Sequence, residues 1–149
     1  MNSEEKEKIV MVAGTFDLIH PGHLHLIQEA ANLGKVVVVV GRDKNVEELK
    51  GKKPVIPEDQ RLYMVSALKG VHKAVLGNES TDFTKIIKEI SPDIILLGPD
   101  QSPSNDRLEK MLNGIGLDIT IRRFKLRVMK FPLSSTSAII QKIKEMNDT

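Results

Sequence analysis

The stretch that decides the fold is KIVMVAGTFDLIHPGH, residues 8–23, in which an apolar run passes through a short loop into a helix start. Residues 8–14 are rich in Val and Ile and end in glycine, which is typical of a buried parallel strand. Residues 14–21 are then the exit loop of that strand, and His23 falls in the first turn of the next helix. Free backbone amides and the positive end of the helix dipole favour an anion at such a turn. The stretch therefore predicts a phosphate site at the end of a strand.

Two histidines, His20 and His23, lie three residues apart around a Pro-Gly pair, in a chain with four histidines and no cysteine. Histidine gains no packing advantage in a loop or a first helical turn, so its presence here points to chemistry. One imidazole in the loop and one in the first turn can meet on the same side of an anion. Gly22 between them leaves room for a phosphate to approach the backbone. We expect both side chains to face the phosphate.

The rest of the chain alternates between apolar runs and amphipathic stretches. Runs that end in glycine recur as KVVVVVG (35–41), HKAVLG (72–77) and DIILLG (93–98), and DITIRRFKL (118–126) adds a further strand. Apolar residues at three- and four-residue spacing predict helices over Gly22–Leu33, Glu58–Leu68, Thr81–Ile90, Asn105–Leu112 and Ser135–Met146. This order predicts a single α/β domain over residues 1–149, with a doubly wound, Rossmann-like parallel sheet of about five strands and helices on both faces.

Composition narrows the classes of partner. The net charge of +2 is too small to predict nucleic-acid binding. The longest purely apolar run, Val36–Val40, is far shorter than the roughly 20 residues that span a bilayer, so no membrane partner is expected. The N-terminus carries acidic residues where a signal peptide has a basic region, and we expect a cytoplasmic location.

Several patterns have a plainer interpretation beside the chemical one. A metal cluster of His20, His23 and His25 is disfavoured because His25 faces away from His23 on a helix, and no metal site is expected on the protein. Residues 45–53 have charges, a glycine and no apolar periodicity, which predicts a mobile loop. The basic residues 121–130 alternate with apolar ones, which favours an edge strand over a nucleic-acid surface.

The loop at residues 14–23 resembles the HxGH signature of the nucleotidyltransferase superfamily, in the form that is seen in cytidylyltransferase-like members. Three further segments match that superfamily in the expected order: Lys50-Gly51 followed by PEDQR (57–61), LGPDQ (97–101) and SSTSAIIQKI (134–143). The combination is most similar to archaeal-type FAD synthetases. Two residues depart from the usual pattern, since Pro99 stands where relatives often have His and Lys130 where many have Arg.

The resemblance implies a nucleotidyl transfer in which a phosphate oxygen of an acceptor attacks the α-phosphate of a nucleoside triphosphate and displaces pyrophosphate. For the FAD synthetase subfamily the substrates are ATP and FMN. The alternative is a CTP-dependent cytidylyltransferase that acts on glycerol 3-phosphate or another phospho-alcohol, and a third hypothesis is a non-catalytic nucleotide-binding module. A flavin needs a flat apolar or aromatic surface, and the presence of only five aromatic residues mildly favours the phospho-alcohol.

The resemblance also implies roles for single residues. His20 and His23 would donate to the α-phosphate region, and Lys50 would neutralise the transferring phosphate, with Lys52 or Lys53 able to replace it. The implied nucleotide-binding residues are Thr15, Phe16, Gly22, Asp100, Ser135 and Thr136. The implied acceptor- or phosphate-binding residues are Asp17, Arg61 and Lys130. A divalent cation, Mg²⁺, would be carried on the triphosphate with few protein ligands. A homodimer is expected from the family.

Overall fold

The computed structural model describes residues 6–80, 82–99, 101–124 and 130–148. The strands are β1 (Ile9–Gly14), β2 (Lys35–Val40), β3 (Val71–Leu76), β4 (Ile94–Leu97) and β5 (Thr120–Arg123). The helices are α1 (Pro21–Leu33), α2 (Asp43–Lys50), α3 (Glu58–Ser66), α4 (Thr84–Ile90), α5 (Asn105–Gly114) and α6 (Thr136–Asn147). The five strands form one parallel sheet in the order β3-β2-β1-β4-β5.

The apolar runs supply two layers of core because successive strand residues point to opposite faces of a sheet. Val10 and Val12 of β1 pack on one face in a cluster with Ile27 of α1 and Val65 of α3. Met11, between them, packs on the other face in a cluster with residues of α4 and α5. Helices therefore cover both faces of a parallel sheet, which confirms the predicted fold class.

The strand order places the ends of β1 and β4 at the point where the direction of winding reverses. The chain runs outward from β1 through β2 to β3 and then crosses to β4 on the other side of β1. The amide of Gly41 donates to the carbonyl oxygen of Gly14 at 2.8 Å, and the amide of Gly77 donates to that of Val40 at 2.9 Å, so three strands end level with one another. Ligands of doubly wound folds bind beyond the carboxyl ends of the strands at such a reversal.

The segment after β2 differs from the prediction. Residues 45–50 belong to helix α2, so the loop predicted there is wrong for this part of the segment. Val46 is the one buried residue of α2, and a single apolar contact is too little periodicity to reveal a helix in the sequence. The helix ends at Gly51, which has a φ of 82° and donates its amide to the carbonyl oxygen of Glu47.

The last strand is an edge strand, as predicted, since β5 pairs with β4 alone among the described strands. It covers only Thr120–Arg123, and residues 125–129 of the basic stretch lie outside the described residues. Within the described ranges, the helices are too short or too polar for any of them to cross a membrane.

Candidate active site

Phe16 turns the chain directly after β1. Its φ is 52°, in the left-handed region, and its side chain is buried. The ring lies over Gly14, where an added Cβ would approach the Cε2 atom of Phe16 to 2.9 Å. On its other side the ring contacts the imidazole of His23, with ring centroids 4.9 Å apart. Phe16 is thus a core residue whose ring packs against the imidazole of His23.

His20 and His23 stack against each other at the start of α1. Their ring centroids are 3.7 Å apart and their planes are inclined by 24°. His20 is the residue before α1, and its backbone amide donates to Nδ1 of His23 at 3.3 Å. The structure therefore brings together the two histidines that the sequence analysis paired, at the N-terminus of a helix whose dipole favours an anion.

Burial holds both imidazoles neutral. Desolvation lowers the pKa of His20, and desolvation followed by the charges of His20 and Lys50 lowers the pKa of His23 to about 3. Nδ1 of His23 accepts a hydrogen bond, and Nδ1 of His20 is buried without a partner among the described atoms. A proton on either Nδ1 would lack an acceptor, so we infer that both rings carry their proton on Nε2. Each ring can then offer one N–H to a phosphate oxygen.

Gly22 brings the start of α6 close to the histidine pair. A Cβ on Gly22 would lie 2.8 Å from Cε1 of His20 and 2.9 Å from the carbonyl oxygen of Ser134. The space that the sequence analysis reserved for a phosphate is thus filled by protein atoms. The hydroxyl of Ser135 caps α6 by accepting from the amide of Ala138 at 3.1 Å, and Thr136 is the first residue of that helix. Two predicted triphosphate ligands therefore lie at a helix start beside α1.

Lys50 reaches the exit loop of β1 from the end of α2. Its ammonium group donates to the hydroxyl of Thr15 at 3.0 Å. Lys53 is exposed and lies 3.9 Å from a carboxylate oxygen of Glu47, and Lys52 is exposed as well. Of the three lysines that the sequence analysis considered, Lys50 is the one that contacts the loop before the histidines.

Arg61 is placed where it cannot contact a ligand directly, in contrast to the role expected for it. Its side chain is 0% exposed. The guanidinium donates to the carbonyl oxygens of Thr15 and Gly41 at 2.7 Å each and to that of Ile56 at 2.8 Å. It also pairs with the carboxylate of Asp43 at 2.6 Å. In this structure Arg61 is a positioning residue that ties the exit loops of β1 and β2 to α3.

Asp17 is likewise engaged with the protein itself. One carboxylate oxygen accepts from the amide of Val55 and the other from the amide of Ile56, both at 2.8 Å. These bonds fasten the chain before α3 to the exit loop of β1. Of the remaining predicted residues, Lys130 is exposed, and Asp100 lies outside the described residues.

A group of polar residues to which the sequence motifs assign no role fixes the loops around the site. Asp43 and Glu58, the first residues of α2 and α3, cap each other's helices: the amide of Asp43 donates to Glu58 at 2.9 Å, and the amide of Glu58 donates to Asp43 at 3.2 Å. Arg42 bridges Glu58 and the carbonyl oxygen of Gly77. Arg42 and Asp43 could have been identified by their position in the sequence, because they come shortly after a buried strand.

Gln101 and Arg123 were also missed, and they fix the loop after β4. The amide of Gln101 donates to the carbonyl oxygen of Ala13 at 2.6 Å and its oxygen accepts from the backbone of Gly98. Arg123 donates to the carbonyl oxygens of Gly98, Gln101 and Pro103. Apart from the bond between Gln101 and Gly98, these hydrogen bonds join residues 20 or more positions apart, so they produce no periodic pattern in the sequence.

A cleft of about 620 Å³ opens between the exit loop of β1 and helices α2 and α4. Its lining includes the polar residues Thr15, His23 and Lys50 and the apolar residues Val46, Leu49 and Phe83. The cleft therefore combines His23 and Lys50, beside the exit loop of β1, with a group of apolar side chains. This arrangement suits an acceptor with a charged end and an apolar body.

Most of the chain matches a known protein family. A family model described as cytidylyltransferase-like matches residues 11–142, which include the histidine loop, Lys50 and the start of α6. The chain belongs to the cytidylyltransferase-like family. The resemblance seen in the four motifs is thereby confirmed.

Relatives of this cytidylyltransferase-like protein include two archaeal proteins named FAD synthase. That of Methanobrevibacter smithii is 45% identical over 144 residues, covering 94% of this chain and 93% of the relative. That of Methanothermus fervidus is 47% identical over 140 residues, covering 91% and 94%. The name is that of the subfamily which the motifs predicted.

Two solved structures resemble the fold. The lipopolysaccharide core biosynthesis protein of Thermoplasma volcanium is 39% identical, with a TM-score of 0.77, over 82% of this chain and 99% of that one. Pantothenate synthetase of Thermus thermophilus is 15% identical, with a TM-score of 0.59, over 93% of this chain and 64% of that one. The second likeness shows the shared fold alone.

A positioning role for Arg61 predicts a large loss of stability when its guanidinium is removed. We expect Arg61→Met to lower the free energy of unfolding by about 3 kcal/mol or more, because it leaves three carbonyl oxygens and the Asp43 carboxylate without their donor. Urea unfolding followed by circular dichroism measures the change. The control is Arg107→Met on the exposed side of α5, which should change the stability by less than about 0.5 kcal/mol. A loss below about 1 kcal/mol for Arg61→Met would contradict the positioning role.

The lowered pKa of His23 predicts a pH dependence of stability. The unfolded chain binds a proton at this residue below about pH 6.5, whereas the folded chain does so only below about pH 3. Stability is therefore complete above pH 6.5 and falls as the pH drops through this window, by on the order of a few kcal/mol. His23→Asn keeps an acceptor for the His20 amide but does not titrate, so its stability should fall less steeply. Urea unfolding at several pH values between 7 and 4 compares the two chains, and parallel curves would contradict the assignment.

Proposed function

We propose that this cytidylyltransferase-like protein is an FAD synthase that transfers the AMP part of ATP to FMN, with release of pyrophosphate. The observation that carries the proposal is the stacked, neutral pair of His20 and His23 at the start of α1, with the ammonium group of Lys50 across the β1 exit loop. The names of the archaeal relatives supply the substrates.

The reaction needs no covalent enzyme intermediate. A phosphate oxygen of FMN attacks the α-phosphorus of ATP, and the bond from that phosphorus to the oxygen bridging to the β-phosphate breaks. Negative charge moves toward the leaving pyrophosphate. The Nε2–H groups of His20 and His23 donate to oxygens at the α-phosphate, and Lys50 supplies positive charge beside the incoming FMN phosphate. Positioned donors of this kind stabilise the charge that develops in the transition state.

The rest of the nucleotide extends toward α6. Ser135 and Thr136 at the start of that helix bind the β- and γ-phosphates through their hydroxyls and through the free amides of the first helical turn. Gln101 and Arg123 hold the loop after β4, and in the proposal Asp100 of that loop contacts the nucleoside.

In the proposed reaction, Mg²⁺ binds to the protein together with the triphosphate of ATP. Among the described residues, no group of three or more His, Asp and Glu side chains could cage a metal ion. The carboxylates of Asp17 and Asp43, which lie at the site, are occupied by amides and by Arg61. Mg²⁺ prefers phosphate oxygens and water with few protein ligands, so the donor set fits a metal that arrives with ATP and neutralises its phosphates. The homodimer and the cytoplasmic location stay predictions.

The choice of substrates can be tested directly. We expect ATP with FMN to yield FAD and pyrophosphate, and CTP with glycerol 3-phosphate to yield at most a trace of CDP-glycerol. A pocket built for adenine leaves polar groups unpaired with cytosine, so the preference appears in kcat/KM. Product masses are compared for each nucleotide with each acceptor. Formation of CDP-glycerol without FAD would refute the substrate assignment and leave nucleotidyl transfer standing.

The histidine pair should act on turnover more than on binding. We expect His20→Ala to lower kcat by about 10²- to 10³-fold with a much smaller change in the KM for ATP, because a donor aimed at developing charge affects the transition state most. Steady-state pyrophosphate release measures both constants. His25→Ala, in α1 but not among the residues that line the cleft, is the matched control and should keep kcat within about twofold. Near-normal turnover of His20→Ala would exclude the catalytic role.

A further inference from the structure

We propose that Val46, Leu49, Phe83 and Ile86, here called the apolar wall, bind the isoalloxazine ring of FMN and so select a flavin over a phospho-alcohol. All four residues line the cleft of about 620 Å³ and come from α2, from the residue before α4 and from α4 itself. The inference rests on the proposed function, because it assigns a binding position to FMN, the proposed acceptor.

The role of the wall follows from the other residues that line the same cleft. Thr15, His23 and Lys50 are among them, and they are the groups proposed to meet the reacting phosphates, so the phosphate of the acceptor belongs beside them. None of the described residues of α6 lines the cleft. The residues proposed to bind the nucleotide lie on α6, on the exit loop of β1, at the start of α1 and on the loop after β4. The four residues of the apolar wall lie on α2, on α4 and directly before α4, which carry none of them, so we assign the wall to the body of the acceptor.

Helix α2 presents both kinds of group that FMN requires. Leu49 is 67% exposed although it is a large apolar side chain, whereas Val46, one turn earlier on the same face, is buried. The next residue, Lys50, donates to Thr15, beside which the phosphate of the acceptor is placed. An apolar ring lying on α2 would cover Leu49 while its phosphate met Lys50. Burial of this exposed surface favours a ligand with an apolar body.

Phe83 supplies an aromatic surface in the lining of the cleft. Phe16 also borders the cleft, but its ring is buried beneath His23 and cannot stack on a ligand. Phe83 is partly buried and packs against the core, and it lines the cleft together with Asn45. The side chain of Asn45 donates to the carbonyl oxygens of Asn78 and Ser80, at 2.8 and 3.1 Å, and so fixes the loop that leads to Phe83.

The size and polarity of the cleft discriminate between the two acceptors. Its volume lies within the range of about 300–1,000 Å³ that is usual for sites of small molecules. Glycerol 3-phosphate is small and polar, so it would occupy the space beside His23 and Lys50 and leave the apolar wall in contact with water. A flat tricyclic ring covers the wall, and its polar edge can meet polar groups of Asn78 and Ser80, which also line the cleft. One aromatic side chain in the right place is enough, despite the low aromatic content.

The test separates the KM for FMN from the KM for ATP. We expect Phe83→Ala to raise the KM for FMN by about tenfold and Leu49→Ala by about threefold, with the KM for ATP unchanged within twofold. Phe83→Tyr keeps the ring and should retain near-normal affinity. Leu49 is exposed, so its variant stays folded even if Phe83→Ala is destabilised. The control is Tyr63→Ala, which removes an aromatic ring that is 76% exposed on α3 outside the cleft.

A second measurement keeps this inference distinct from the proposed function. Flavin fluorescence reports the Kd of FMN without ATP, and we expect the same ranking of variants. Unchanged KM and Kd for FMN in both Ala variants, or an equal rise in the KM for ATP, would overturn the inference. If the wild type makes no FAD, the proposed function fails. FMN binding that Phe83→Ala weakens would then still support the apolar wall, and no FMN binding at all would overturn it.

Discussion

The buried guanidinium of Arg61 is the interaction on which the geometry of the site depends. Removing such a charge from water is costly, and the cost is offset only because its donors find acceptors on several segments of chain. The carbonyl oxygens of Thr15 and Gly41 belong to the exits of two neighbouring strands, and that of Ile56 belongs to the chain before α3. With Asp43 as the fourth partner, one side chain sets the distance between the histidine loop and the helix that carries Lys50.

The site contains two kinds of hydrogen-bond donor, one neutral and one positively charged. Burial keeps His20 and His23 neutral, so they offer oriented N–H groups and no net charge. Lys50 brings the positive charge on a flexible side chain from the far side of the loop. Neutral donors can be stacked face to face without repulsion, whereas two imidazolium rings at 3.7 Å would repel each other strongly. The close stack therefore requires the loss of charge.

The sequence predicts the sheet and the histidine pair because both depend on local pattern. Apolar runs that end in glycine mark four of the strands, and the spacing of His20 and His23 suffices to place them together. The family resemblance placed Arg61 at the ligand, but its burial follows from carbonyl oxygens up to 46 residues away. Helix α2 was missed since caps from α3, and not an apolar stripe, stabilise its start. Residues whose partners are distant backbone atoms leave no periodic trace.

The exchange of caps between Asp43 and Glu58 has a consequence for the motions of the protein. Each side chain satisfies the first amide of the other's helix, so unwinding the first turn of α2 also strips a cap from α3. We therefore expect the first turns of the two helices to open together, so that loss of either turn exposes an amide of the other helix. Lys50 lies at the other end of α2, and fraying of the last turn would release it from Thr15 without breaking either cap. We expect the start of α2 to open with α3 and its end to open independently.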